Sequence, residues 1–262
     1  MEILACQLDI VWENKPANWK RAEALIEQAA PRPGSMIVLP EMFATGFSMN
    51  VASLVETTPS ATQERMASWA RRWQSFVVGG VVAPGREGRG VNQSVTIGPD
   101  GHEVCRYAKI QPFSLGTEDA HYDAGDTVMV YRVGDWTVAP FVCYDLRFPE
   151  LFRHACRLGA NLYTVIANWP EKRIRHWVTL LQARAIENQA YVVGVNRVGE
   201  DPSLRYVGRT LIVDPSGDIL ADAGDREGII RATIDREGLQ ALREGLPFLR
   251  DMRPEFVPMP GE

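Results

Sequence analysis

Cysteine and histidine are both scarce, with four of each in 262 residues. Cys6, Cys105, Cys143 and Cys156 stand far apart and form no C-x-x-C pair, so neither a zinc site nor a disulfide framework is expected. The histidines are equally dispersed, which leaves metal catalysis short of ligands; the expectation is no metal and no cofactor. A surplus of positive charge is also missing, since 28 Lys and Arg face 33 Asp and Glu for a net charge of −5. Nucleic-acid binding draws on clustered cations, so no nucleic-acid partner is expected, and a pair such as Arg71-Arg72 reads as a solvated helix face. No apolar run reaches the roughly 18 to 20 residues of a membrane helix, so no membrane partner is expected either. Met1 to Ile10 alternates apolar and polar residues and lacks a basic stretch leading into an apolar one. A cytoplasmic chain with free thiols is the consequence.

The 45% hydrophobic and 23% charged shares suit a globular chain with a sizeable core. One domain is expected over residues 1–262, because α/β chains of this length commonly close around a single core. Neither an internal repeat nor a low-complexity tract is visible. Ile3 to Ile10 reads as a strand, and Asn18 as the N-cap of a helix in which Trp19, Ala22, Ile26 and Ala29 recur at helical spacing. Met36 to Leu39 is a short continuous apolar run of the kind buried on both faces, and it stops at Pro40-Glu41. A helix over Ala61 to Gln74 leads to a strand at Phe76 to Val82. Val91 to Ile97 and Glu103 to Ala108 then have the turn chemistry of a hairpin around Pro99-Asp100-Gly101. Lys109 follows directly.

Gln111 to Gly125 reads as a polar, irregular loop, and loops of that length are more often functional than accidental. Thr137 to Val142 is a strand that runs into Cys143, ahead of a helix over Pro149 to Leu158 closed by Gly159. A strand at Asn161 to Ala167, a long helix from Arg173 to Asn188 and a strand at Tyr191 to Asn196 come next. Arg209 to Val213 pairs with Asp218 to Ala221, and Ile229 to Ile234 is the last strand. Alternating strands and helices give an α/β fold class. Beyond Asp235 the chain is polar and Pro-rich, and a tail from about 246 to 262 is expected to pack on a partner subunit or to fray.

Three chemically capable residues share one context. Glu41, Lys109 and Cys143 each fall just after an expected strand, where α/β sheets place their sites. A thiol becomes a useful nucleophile when a base or a positive charge favours its thiolate, and a carboxylate beside an ammonium supplies both influences. Singly, each has a plain explanation: a Cys in an apolar strand is usually core, and a Glu or Lys opening a loop is usually surface.

The segments around them are more specific. Leu39-Pro40-Glu41-Met42-Phe43, then Tyr107-Ala108-Lys109-Ile110, then Val142-Cys143-Tyr144-Asp145-Leu146-Arg147-Phe148-Pro149-Glu150 resemble, in order and spacing, the three signature segments of the nitrilase, or carbon-nitrogen hydrolase, superfamily. The resemblance runs from the first strand to the last hairpin. It implies a four-layer αββα sandwich with Glu41 as general base, Lys109 as the oxyanion-stabilising cation and Cys143 as nucleophile. The backbone N–H of Tyr144 would join Lys109 at the oxyanion. A second glutamate of the superfamily falls at Glu118, with Asp119 as the adjacent alternative. Assembly through the face near the nucleophile's helix is common in the superfamily, which implies a homodimer.

Ala167-Asn168-Trp169-Pro170, together with the segment around Cys143, looks most like the omega-amidase branch, whose members deamidate 2-oxoglutaramate and 2-oxosuccinamate. Such small-molecule amides carry a carboxylate remote from the amide, and a guanidinium suits it. Arg147 is the candidate, with Arg173 behind it; the competing role for Arg147 is a salt bridge to Asp145 or Glu150. Phe43, Phe113 and Trp169 are expected to wall the pocket, with Asn168 beside the substrate. His154 offers a papain-like partner for Cys143, although packing is the commoner role. Arg209, bulky where relatives carry a small polar residue, is expected at the pocket edge. The alternatives to an omega-amidase are another amidase, nitrilase or carbamoylase of the superfamily, an acyl-transferring member, or a non-catalytic scaffold that binds a metabolite.

Overall fold

The computed structural model describes residues 1–57 and 60–256. The first half of the chain runs β1 (Glu2–Gln7), α1 (Lys15–Ala29), β2 (Met36–Val38), α2 (Val51–Leu54), α3 (Ala61–Trp73), β3 (Phe76–Pro84), β4 (Gly90–Ile97), β5 (Glu103–Ala108), α4 (Glu118–His121) and β6 (Tyr122–Asp123). The second half runs β7 (Tyr131–Val133), β8 (Trp136–Val142), α5 (Pro149–Arg157), β9 (Leu162–Ile166), α6 (Ile174–Asn188) and β10 (Tyr191–Val195). It closes with β11 (Val198–Glu200), β12 (Arg205–Val207), β13 (Leu211–Val213), β14 (Ile219–Asp222), β15 (Gly228–Thr233) and α7 (Arg236–Gly245).

Two mixed sheets result. One has the order β15-β1-β2-β3-β4-β5, with β6 beside β4, and the other the order β14-β13-β10-β9-β8-β7. Strand periodicity builds the layers between and around them. Ile3, Ala5, Met36, Val38 and Val78 face the space between the sheets, where they join Val138, Val142, Ile166 and Val193. Their alternates Leu4, Cys6, Ile37, Leu39 and Val77 face outward and are covered by Ile26 of α1 and by Met66 and Trp69 of α3. Successive side chains of a strand point to opposite faces, so a run apolar at every position requires cover on both. On the far side, Phe152 of α5 and Trp177 and Leu181 of α6 cover the second sheet. The α/β sandwich is therefore layered αββα. Among the described residues no helix is long and apolar enough to cross a membrane.

Several local expectations shift. Asn14, not Asn18, caps α1 by accepting from the Ala17 N–H. Asn18 lies inside that helix, buried, and fixes the preceding loop through Val11 and the Ala44 carbonyl. Its polar side chain was a reasonable cap by type; tertiary partners decided otherwise. The first strand ends at Gln7 and the strand of the last hairpin begins only at Leu211. The segment from Gln111 to Gly125 is less irregular than its composition suggests, since it contains a 3-10 turn at Ser114–Gly116, α4 and β6. Of the tail from 246 to 262, residues 257–262 lie outside the described ones, while the Leu246 carbonyl accepts from Gln189 Nε2 at 2.7 Å.

Strand direction gathers the chemistry at one end. β2 and β3 are parallel, β3 and β4 antiparallel, and β4 and β5 antiparallel, so β2 and β5 point the same way. The segments after them carry Glu41 and Lys109. In the other sheet β8, β9 and β10 are mutually parallel, and their ends deliver Cys143, Asn168 and Asn196. The turn after β2 also demands a glycine opposite it. A Cβ on Gly80 would stand 2.2 Å from Met42 N and 2.6 Å from Glu41 Cα. Gly80→Ala should therefore push the Glu41 turn away and lower the urea-unfolding free energy by about 1–3 kcal/mol. Gly245→Ala, where an added methyl meets nothing within 4 Å, should show no loss in the same measurement.

Candidate active site

A buried ammonium sits between two carboxylates. Lys109 Nζ lies 3.1 Å from Glu41 Oε1, 2.8 Å from Glu118 Oε2 and 3.1 Å from Glu118 Oε1. Relative exposure is 1% for Lys109 and 0% for both glutamates. Burial alone would drive the lysine toward its neutral form; the charges of Glu41 and Glu118 win, and its pKa is raised above the ordinary value. It is an ammonium. Asp119, one residue from Glu118, is exposed and takes no part.

Asn92 on β4 was not legible as a site residue. Its Nδ2 donates to Glu41 Oε1 at 2.7 Å and to Glu118 Oε1 at 2.9 Å, bridging the two acids. An asparagine within a strand looks like any polar residue, and only the pairing of β4 with β3 and β5 brings it here. Glu118 also accepts from the Phe113 N–H at 2.6 Å, which fixes the loop after Lys109.

Glu41 is held from the opposite sheet as well. Its Oε2 accepts from Asn168 N at 2.8 Å and from Asn168 Nδ2 at 3.2 Å, while its own carbonyl accepts from Nδ2 at 2.8 Å. The carbonyl of the same asparagine lies 4.0 Å from Cys143 Sγ. Asn168 thus joins carboxylate to thiol. Asn196, a further residue that sequence reasoning passed over, brackets the next peptide by accepting from Trp169 N at 2.7 Å and donating to Trp169 O at 3.0 Å.

Cys143 opens a 3-10 turn, Cys143–Arg147, with φ at +48°, a region that costs a non-glycine residue strain and that tends to mark functional turns. The Tyr144 N–H falls in the first turn of that short helix, where amide hydrogens lack an intrahelical acceptor. The thiol is half-buried, and its pKa is raised by burial and then by the Glu41 carboxylate, with Lys109 opposing. At rest it holds its proton. Glu41, Lys109 and Glu118 act on it through their charges, and His154, on α5, makes no hydrogen bond to the thiol among the described residues.

Asp145 anchors this turn. Its Oδ2 accepts from Val142 N at 2.9 Å and from the Tyr107 hydroxyl at 2.8 Å, and its Oδ1 accepts from Gln111 N at 2.9 Å. It makes no ion pair with Arg147, and Glu150 is exposed, so the structural salt bridge considered for Arg147 is absent among the described residues. The carboxylate ties the thiol's turn to the segment after Lys109.

A cleft of about 370 Å³ opens above the thiol. Phe113 and Trp169 lie in its wall, with Asn168, Tyr144, Arg147 and Arg173 on its lining. Phe43 does not. It packs at 6.2 Å from the Trp69 ring in the outer core, because the turn after β2 sends its side chain toward the helices; Phe47 takes the place at the cleft. Arg209 is likewise absent from the lining, since its guanidinium pairs with Asp222 at 2.7 Å on the surface, and Leu204 from the β11–β12 hairpin fills the edge. Arg147 lies 4.7 Å above the Trp169 ring and Arg173 5.3 Å above that of Phe113. Among the described residues no group of three His, Cys, Asp or Glu side chains is placed to hold a metal ion.

The carbon-nitrogen hydrolase family model matches residues 3–244. Omega-amidase YafV of Yersinia enterocolitica is 40% identical over 96% of this chain and 96% of its own length. The 2-oxoglutaramate amidase of Bacillus subtilis is 33% identical over 97% of this chain and 98% of its own. Among solved structures, XC1258 from Xanthomonas campestris, a CN-hydrolase superfamily protein with an arsenic adduct in its active site, superposes with a TM-score of 0.91 at 31% identity, covering 97% of each chain.

The pKa of Asp145 is raised by burial from 3.8 to about 6. Folding therefore favours its protonated form: below pH 3.8 the residue carries a proton folded or unfolded, and between 3.8 and 6 only the folded state keeps it. Stability contributed by this group should fall as pH rises through that window, by about 3 kcal/mol in total. Urea unfolding at pH 4 and pH 7 checks it, since Asp145→Asn should remove that component of the pH dependence while weakening the turn at both values.

Proposed function

The chain belongs to the carbon-nitrogen hydrolase family, and within it we propose that it works as an omega-amidase, releasing ammonia from the terminal amide of 2-oxoglutaramate or 2-oxosuccinamate. The observation that carries this reading is a thiol, an ammonium and two carboxylates joined through Asn92 and Asn168 beneath a cleft whose charged lining is wholly cationic. Arg147 and Arg173 share that lining, and the pKa of Arg147 is lowered by burial and by the charge of Arg173. Two guanidiniums facing one cleft without a carboxylate await an anion. The carboxylate of an omega-amido acid meets that need, while Phe47, Phe113 and Trp169 suit its methylene chain. An α-ammonium, as in glutamine, would face the same two cations with no acid to receive it.

In the reaction Cys143 attacks the amide carbon while Glu41 takes the thiol proton, as the neutral resting thiol requires. The oxyanion meets Lys109 and the Tyr144 N–H. Lys109 can turn one N–H toward it by keeping the 2.8 Å contact to Glu118 Oε2 and yielding the longer one. Glu118 and Asn92 then hold the ammonium and the base in place. Glu41 passes its proton to the departing nitrogen, ammonia leaves, and a thioester on Cys143 remains. Water, losing a proton to Glu41, adds to the thioester; collapse expels the sulfur, which recovers the proton. Asn168 Oδ1 is buried without a partner beside the cleft and can accept from the substrate's amide N–H. No cofactor enters these steps.

The four cysteines are free, which suits a reducing cytoplasm. A homodimer through the α5–α6 layer is supported by Leu158 and Ile186, both exposed there. We regard residues 1–262 as one functional domain.

Cys143→Ala should abolish ammonia release from 2-oxoglutaramate while the circular dichroism spectrum and unfolding midpoint stay near those of the parent protein. Retained turnover would remove the mechanism, and a thermal shift with 2-oxoglutaramate but no turnover by the parent protein would identify a binding scaffold. Sedimentation of the parent protein should give twice the chain mass, with Leu158→Glu shifting it toward the monomer.

A further inference from the structure

Among the described residues, the guanidinium of Arg147 has one hydrogen-bond partner. His176 Nδ1 lies 3.3 Å from its Nη1 and 3.4 Å from its Nη2, a forked contact. A guanidinium has donors and no acceptor, so the ring nitrogen facing it must be a bare lone pair, with the imidazole proton on Nε2. His176 belongs to α6, three residues beyond Arg173 and thus one helical turn on. The two cations that face the cleft are therefore tied to one short stretch of chain.

The surroundings leave Arg147 few other restraints. Its central carbon lies 4.7 Å from the centre of the Trp169 ring and 5.9 Å from that of Tyr144, non-directional contacts that leave the N–H edges of the group free to turn. Arg173 repels it, and among the described residues no carboxylate pairs with it. Arg147 also lines a second, shallower groove with Arg175, His176 and Thr179, so its head stands on the wall between cleft and surface. Without an acceptor on the helix side, repulsion from Arg173 would drive it outward.

We propose that His176 is a positioning residue for substrate recognition: its Nδ1 lone pair holds the Arg147 guanidinium against Trp169 so that its free edge faces the substrate carboxylate. The inference rests on the omega-amidase reading above. It adds a determinant of specificity that touches neither substrate nor nucleophile. A loss of the acceptor should weaken binding of an anionic amide and leave the reacting centre untouched.

The test measures kcat and KM for 2-oxoglutaramate in the parent protein, His176→Leu and His176→Gln, together with the rate at which neutral iodoacetamide alkylates Cys143. His176→Leu should raise KM about tenfold, the scale of one hydrogen bond to a charged group, with kcat and alkylation unchanged. His176→Gln, whose amide oxygen is again an acceptor, should recover most of the loss. An unchanged KM in His176→Leu overturns the proposal, as does a defect that glutamine fails to repair or one that slows alkylation equally, since either marks a purely structural role. A parent protein that does not turn over 2-oxoglutaramate overturns the omega-amidase reading itself, a result separable from the other three.

Discussion

The ammonium of Lys109 is the constraint on which this centre depends. Taking a charge out of water costs several kcal/mol, and a buried lysine without partners would shed its proton. Here Glu41 on one side and Glu118 on the other keep it charged, while Asn92 supplies N–H donors to both acids. The cluster is useful because it is expensive to disturb. A cation fixed by two carboxylates cannot swing toward solvent, so it waits where negative charge will develop and needs little reorganisation when that charge appears.

Each remaining part of the centre is referred to that cluster by a short polar link. Asn168, two residues beyond the end of β9 in one sheet, binds the Glu41 carboxylate carried by the other. Asp145 joins the Cys143 turn to Tyr107 and Gln111, on either side of Lys109. Asn168 touches the carboxylate and the sulfur themselves while Asp145 acts through the turn, and together they fix the separation of sulfur, carboxylate and ammonium across the space between two sheets. Strain at Cys143, whose φ is +48°, is sustainable only because these links over-determine the turn.

Charge is also sorted by depth. Acids lie buried beneath the cleft around Lys109, whereas Arg147 and Arg173 occupy its walls without carboxylate partners among the described residues. An omega-amido acid presents a neutral amide at one end and an anion at the other, and this gradient orients it with the amide inward. The neutral thiol avoids adding a further negative charge to the floor until an electrophile arrives.

The sandwich layering was implied by the resemblance of the three segments, while the α/β class, the buried run of β2 and the helices that cover the first sheet were legible in the amino-acid order, because burial on both faces leaves continuous apolar runs. So were Glu41, Lys109 and Cys143, each marked by a strand end and a local motif. Asn92, Asn168 as a bridge, Phe47 and His176 were decided only by tertiary structure. Their roles arise from strand pairing and from the meeting of two sheets, between residues as far apart as Glu41 and Asn168, and no local pattern encodes a distance of that kind. Phe43 makes the same point in reverse: its type suited a pocket wall, but the backbone turn at Met42, with φ at +43°, sent the ring into the core instead.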